Sequence, residues 1–326
     1  TVGLFVSLMP VKTWTQAAVV PLALSVCVSM HTFADTIREA FPVNAYLTVV
    51  DACLLAALVA LSRHRWWSDI MAIVLFVFAA LSVESGLLVW VVLVAAFAAG
   101  GRGVSRVGLG LATACLAAYF VARFGVLHVA APTLIERSSG FGLQILEPDQ
   151  LMARFGANPL PFYAYNVLAS IGSVLFAEPR AGVFWITAGI RAGKVEPWVI
   201  LNLVACTSLT VLIVRDIVVR WPHWRRLHFD EGDRLVVIFG ALLVANATMN
   251  FVYTKDVIMS PTGAFFGLAG FVAVSRAAAR VPATCPRDTS AGRDRAHPLC
   301  IVYRRAAPAC TARLASTTCA SRAGIS

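Results

Sequence analysis

Charge is what this chain has least of. Asp, Glu, Lys and Arg make up 13% of its 326 residues, about half the share found in soluble globular domains. That scarcity excludes an ordinary water-facing surface. A disulfide framework is missing as well: the eight Cys show no CxxC pair and no metal-ligand spacing. Cys27, Cys53, Cys115 and Cys206 lie in apolar runs, where a thiol acts as a small hydrophobe, and the other four follow Pro282. The six His are scattered, and no HExxH, Walker A, GxSxG or dinucleotide glycine pattern occurs. Neither a metal nor a cofactor is expected.

What the chain has in abundance is apolar length. Hydrophobic residues make up 59% and the mean hydropathy is +0.78, with several stretches close to the roughly 20 residues that cross a bilayer. The expected fold is all-α, a polytopic transmembrane helical bundle over residues 1–281 whose natural partners are membrane lipids. Residues 282–326 read differently, as a disordered or out-of-frame basic tail with seven Arg against two Asp. That tail supplies about half of the net charge of +10. The remaining positive charge lies in short loops between apolar runs, which argues against nucleic-acid binding and for cytoplasmic retention of those loops.

The basic loops set a parity. Lys12, Arg63-His64-Arg65, Arg102 with Arg106, Arg215 to Arg226, and Arg276 with Arg280 are the expected cytoplasmic points. Helices are then expected over 15–33, 44–61, 107–127, 196–214, 234–252 and 260–275. Acidic or mixed loops, with Asp35, Arg38 and Glu39 in the first, face outward. Residues 128–162 form the one long external loop. Residues 163–191 must hold zero or two crossings, with a break at Glu178-Pro179-Arg180.

One carboxylate, Glu84, interrupts the run Ile70 to Ala99. A single helix of that length would reach about 45 Å, beyond the roughly 30 Å hydrocarbon core. It would also put Arg65 and Arg102 on opposite sides. A break at Ser82 to Gly86 makes a short helical hairpin instead, returns both basic ends to one side, and puts Glu84 at the outer tip. Glu84 is therefore a substrate-binding candidate, joined by Tyr163, Tyr165 and Asn166 in NPLPFYAYN and by Lys255 and Asp256 in a short outer turn. Asn158 belongs to the same group. Each has a plainer role: a paired hairpin tip for Glu84, an interfacial aromatic belt for the tyrosines, a solvated turn for Lys255-Asp256. Gly263, Gly267 and Gly270 have the spacing of close helix packing, and the Asn246-Ala-Thr sequon falls inside an apolar helix.

The order Phe41-Pro42-Val43, helix, basic turn, short helix, corner Ser82-x-Glu84-Ser85 and Leu87-Leu88 resembles the middle of polytopic glycosyltransferases of the GT-C type. These include the enzymes that add sugars to lipopolysaccharide and the protein O-mannosyltransferases. Val83 stands where the family's corner often has Lys. The turn Tyr253-x-Lys255-Asp256 resembles a charged turn late in the same module. The resemblance implies a multi-pass enzyme of a bacterial inner or plasma membrane, taking sugar from a polyprenyl-phosphate donor at the external face. It also implies that the catalytic acid lies in a first external loop that would precede Thr1, so that the chain would be a fragment inactive by itself; Asp35 does not inherit that role. A transporter or flippase for a lipid-linked or polar solute, and a non-catalytic membrane scaffold, are the competing readings. A transporter needs broken helices at mid-membrane and internal repeats, and no repeat is evident.

Overall fold

A computed structural model describes residues 1–29, 43–129, 148–156, 158, 160–177, 187, 189–195, 197–251 and 256–280. Every regular element among them is helical, and Thr1–Val281 form one compact unit. Helices α1 (Val2–Ser7) and α2 (Trp14–Ser29) lead to α3 (Val43–Leu61). Then come α4 (Trp66–Ser82), a 3-10 turn (Glu84–Leu87) and α5 (Leu88–Ala98). Helix α6 (Arg106–Phe120) ends in a π-turn (Val121–Val126), and α7 (Pro148–Phe155) is short. Helices α8 (Leu160–Phe176), α9 (Pro197–Trp224), α10 (Glu231–Met249) and, after a 3-10 turn at Asp256–Met259, α11 (Ser260–Arg280) complete the bundle. Four segments are long and apolar enough to span a bilayer: Arg106–Val126, Val199–Trp224, Glu231–Met249 and Val257–Arg280. The protein is a membrane helical bundle.

Helix α11 is its axis. Every residue from Ser260 to Ala273 is buried, as expected of a helix apolar on all sides, and α2, α3, α9 and α10 pack around it. Gly270 explains how close that packing is. A Cβ added there would lie 2.7 Å from Cδ2 of Leu209, so a larger residue would push the Leu209 side chain aside, and glycine suits the close approach of α9 and α11. Phe265, Phe266, Ile238, Leu54 and Phe76 fill the surrounding core.

The hairpin forms where length and charge place it. Val83 is extended (φ −152°, ψ 151°) and ends α4 after 17 residues, a rise of about 25 Å. Gly86 donates its N–H to the Val83 carbonyl at 2.8 Å, and a Cβ on it would fall 2.0 Å from the Ala79 carbonyl oxygen. The corner therefore closes only over a glycine. Beyond the far ends of the arms, the Gly103 N–H donates to the Ala60 carbonyl of α3 at 3.0 Å and His64 Nδ1 lies 3.2 Å from the Gly103 oxygen. The basic turns at 63–65 and 102–106 thus share one end.

Two expected loops are partly helical. Residues 215–224 continue α9, whose 28 residues reach about 42 Å and so outrun the hydrocarbon core. Their charges do not break the helix because they are neutralised by neighbours: Arg220 and Asp216 meet α10 and α11. The long segment 128–162 contains α7, and α8 begins at Leu160; residues 130–147 lie outside the described set. In 163–191, α8 runs to Phe176 and residues 187 and 189–191 are again helical, while Glu178-Pro179-Arg180 lie outside the described residues, as does the 282–326 tail.

Candidate functional site

The outer corner and the start of α8 hold the residues singled out in sequence, in two groups built on different helices. In the first, Glu84 is half exposed and ion-paired through Oε1 to Arg123 Nη2. Arg123 Nη1 donates to the Tyr119 hydroxyl at 2.7 Å. Its guanidinium carbon lies 6.0 Å from the Tyr119 ring centre and 5.8 Å from that of Phe124, within range of cation–π attraction. Tyr119 and Arg123 are four apart, one helical turn, so α6 and its π-turn present both from one face. Chemically this is an anchored cation beside a carboxylate with one oxygen uncommitted. Arg123 was not singled out from sequence. Its signal was a lone Arg near the end of an apolar helix.

The second group is packed inward. Asn166 has no exposed surface, and its Nδ2 donates to the Phe251 carbonyl at 2.9 Å, tying α8 to the end of α10. Tyr163 stacks edge-on against Phe251 with ring centres 5.0 Å apart. Both Tyr163 and Tyr165 are partly buried. Asn158 accepts the Leu160 N–H at 3.0 Å and so starts α8. Lys255 and the side chain of Asp256 lie outside the described residues. The Asn246 of the sequon is fully buried, donating to the Ile258 carbonyl and to Thr262 Oγ1, each at 3.0 Å. It fastens the 3-10 turn beneath α11.

The densest charge cluster sits at the basic end. Asp233, with no exposed surface, accepts from Arg220 Nη2 at 2.6 Å and from Arg276 Nη2 at 2.9 Å. Asp230 takes the same two guanidinium groups at 2.9 and 2.6 Å, and Arg276 Nη1 also pairs with Asp216. Asp216, Arg220 and Trp224 follow at four-residue steps on α9, so one face carries them all. Asp230 caps α10, accepting the Asp233 N–H at 2.8 Å. Lys12 joins from the α1–α2 connection, with Nζ 2.5 Å from Glu231. A cleft of about 460 Å³ opens beside this cluster, between that connection, α10 and α11.

Asp51 is a further residue the sequence reading passed over. It lies midway along the 19-residue α3, 3.0 Å from the Thr1 amino nitrogen, and is the only charge in that helix. A carboxylate at that depth is costly. Among the described residues no group of three metal-ligating side chains occurs. No family model, curated protein or solved structure matches this chain.

Proposed function

We propose that this membrane bundle is part of a GT-C-type glycosyltransferase, which uses a polyprenyl-phosphate-linked sugar at the outer membrane face. The observation carrying the proposal is the corner: a short helical hairpin broken at Val83, with Glu84 presented beside the anchored Arg123. A guanidinium backed by Tyr119 suits a phosphate oxygen, and the uncommitted Glu84 oxygen suits a sugar hydroxyl.

Photo-crosslinking of the full-length protein in membranes with a diazirine-tagged polyprenyl-phosphate sugar tests this. Adducts should map to residues 84–88 and 119–124, and Glu84→Gln and Arg123→Gln should each cut labelling about tenfold, the scale of a lost charged hydrogen bond. Labelling spread evenly over the lipid-facing helices would refute the proposal. A scaffold is the second reading, favoured by one observation: Arg123 is already engaged within the protein by Glu84 and Tyr119.

A further inference from the structure

The cleft at the basic end contains donors that the protein itself leaves unused. Arg234 projects from the first turns of α10, and among the described residues its side chain has no acceptor. Its Nε is shielded from solvent and unpartnered. Ser275, on α11, is only 6% exposed, and its Oγ likewise has no partner. Both line the cleft. Gln16 lines it too. Its carbonyl oxygen accepts the Lys12 and Thr13 N–H groups at 2.7 and 3.0 Å, so its NH₂ is the free end. Buried donors without acceptors are destabilising unless a ligand supplies the acceptor, and here two of them line one space.

Five cations, Lys12, Arg220, Arg234, Arg276 and Arg280, face four carboxylates, Asp216, Asp230, Glu231 and Asp233, at this end, which leaves one positive unit over. Asp230 is held by Arg220 and Arg276, and Glu231 by Lys12. Arg234 has no counter-charge. The depth of the cleft is marked by Trp14, 85% exposed, two residues from both Lys12 and Gln16, and by Trp221, 55% exposed on the last turns of α9. Tryptophan collects at the headgroup level of a bilayer. A cleft of about 460 Å³ is within the range of small-ligand sites.

We propose that this cleft binds one phosphate-bearing anion, with Arg234 and Ser275 as its donors. The chemistry is that of a phosphodiester or phosphate monoanion: one negative charge and several acceptor oxygens. A phospholipid headgroup and free phosphate share it. The site lies at the opposite charge pole from the proposed sugar-donor corner and does not depend on the transferase reading.

The test uses the full chain in phosphatidylcholine nanodiscs containing a minor fraction of phosphatidylglycerol, with native mass spectrometry counting retained anionic lipid. In parallel, thermal unfolding is followed in neutral detergent with and without inorganic phosphate. For a headgroup site, wild type retains one phosphatidylglycerol and Arg234→Gln weakens retention about tenfold, the scale of one charged hydrogen bond. For a free-phosphate site, phosphate raises the wild-type Tm but not that of Arg234→Gln. Arg226→Gln removes the same charge from an exposed position outside the cleft and should leave both readouts unchanged. Ser275→Ala, a near-isosteric change, should weaken binding severalfold even if Arg234→Gln fails to fold. Equal losses in Arg226→Gln and Arg234→Gln, or no response of wild type to either probe, would overturn the proposal.

Discussion

Asp233 is a carboxylate with no exposed surface held between two arginines, and it also accepts the Asp230 N–H at 3.1 Å. Removing its charge leaves Arg220 and Arg276 beside a neutral amide, held only by the half-exposed Asp230 and, for Arg276, by Asp216. Breaking a buried pair in this way costs about 3–5 kcal/mol, far more than the pair's net contribution to folding. Asp233→Asn should therefore lower the Tm in detergent sharply, and a Tm within experimental error of wild type would show that the cluster is wet. Gly86 acts by shape alone. Since a Cβ there would overlap the Ala79 carbonyl, Gly86→Ala must open the corner, at a cost of about 1–3 kcal/mol typical of overpacking. It should also loosen the Glu84–Arg123 pair, read out as faster proteolysis or hydrogen exchange over 82–90. The sequence hinted at these residues unevenly. Glu84 stood out because it interrupted an apolar run. Arg234 and Ser275 did not, because their isolation appears only once helices from distant parts of the chain converge; Lys12 and Glu231, which flank them, are 219 residues apart.

Apolar length, basic turns and breakers were sufficient to place the elements. The helices expected over 44–61, 234–252 and 260–275 match α3, α10 and α11 to within a few residues, apart from the C-terminal turns of α11. The hairpin followed from a length that one crossing cannot accommodate. Residues 215–224 misled, since three charges in ten residues read as a loop until the partners of Asp216 and Arg220 on α10 and α11 are known. The start of α6 shows how such ends are held. Ser105 Oγ accepts the Gly108 N–H at 3.0 Å and donates to Asp69 at 2.6 Å, while the Ser105 N–H donates to the same carboxylate at 2.8 Å. One serine thus caps α6 and fixes it to α4. Ser105→Ala should cost about 1–2 kcal/mol, the value of a lost N-cap with a carboxylate left short of a donor. Asp69→Asn should be milder if its side-chain oxygen still accepts the Ser105 N–H. Comparing the two by thermal unfolding separates the cap from the cross-link.

For the molecule as a whole, the charge pattern makes a prediction about sidedness. Single cysteines placed at Arg63 and Arg226 in a cysteine-free background should be modified by a membrane-impermeant maleimide from the same face of sealed vesicles. A cysteine at Ser82, exposed beside the corner, should be modified from the other. Labelling of positions 63 and 226 from opposite faces would break the parity on which the bundle's orientation rests. Function was less legible at this scale. The corner carried the sequence motif behind the proposed transferase reading, whereas the donors proposed to bind an anion at the basic end carry no motif.

The position of α11 in the chain has a consequence for assembly. The helix at the centre of the bundle is also the last of the described helices to be synthesised. Until it emerges, α3 and α10 can pack on α5 and α9 on α8, but α2 lacks its main partner and the four lack their shared axis, and Asp216 and Asp233 wait without Arg276. The earlier helices must therefore be held by the insertion machinery or by lipid as a loose set with an unfilled middle. Closure then comes in one late step, as the axis slides in and its arginine reaches the waiting carboxylates.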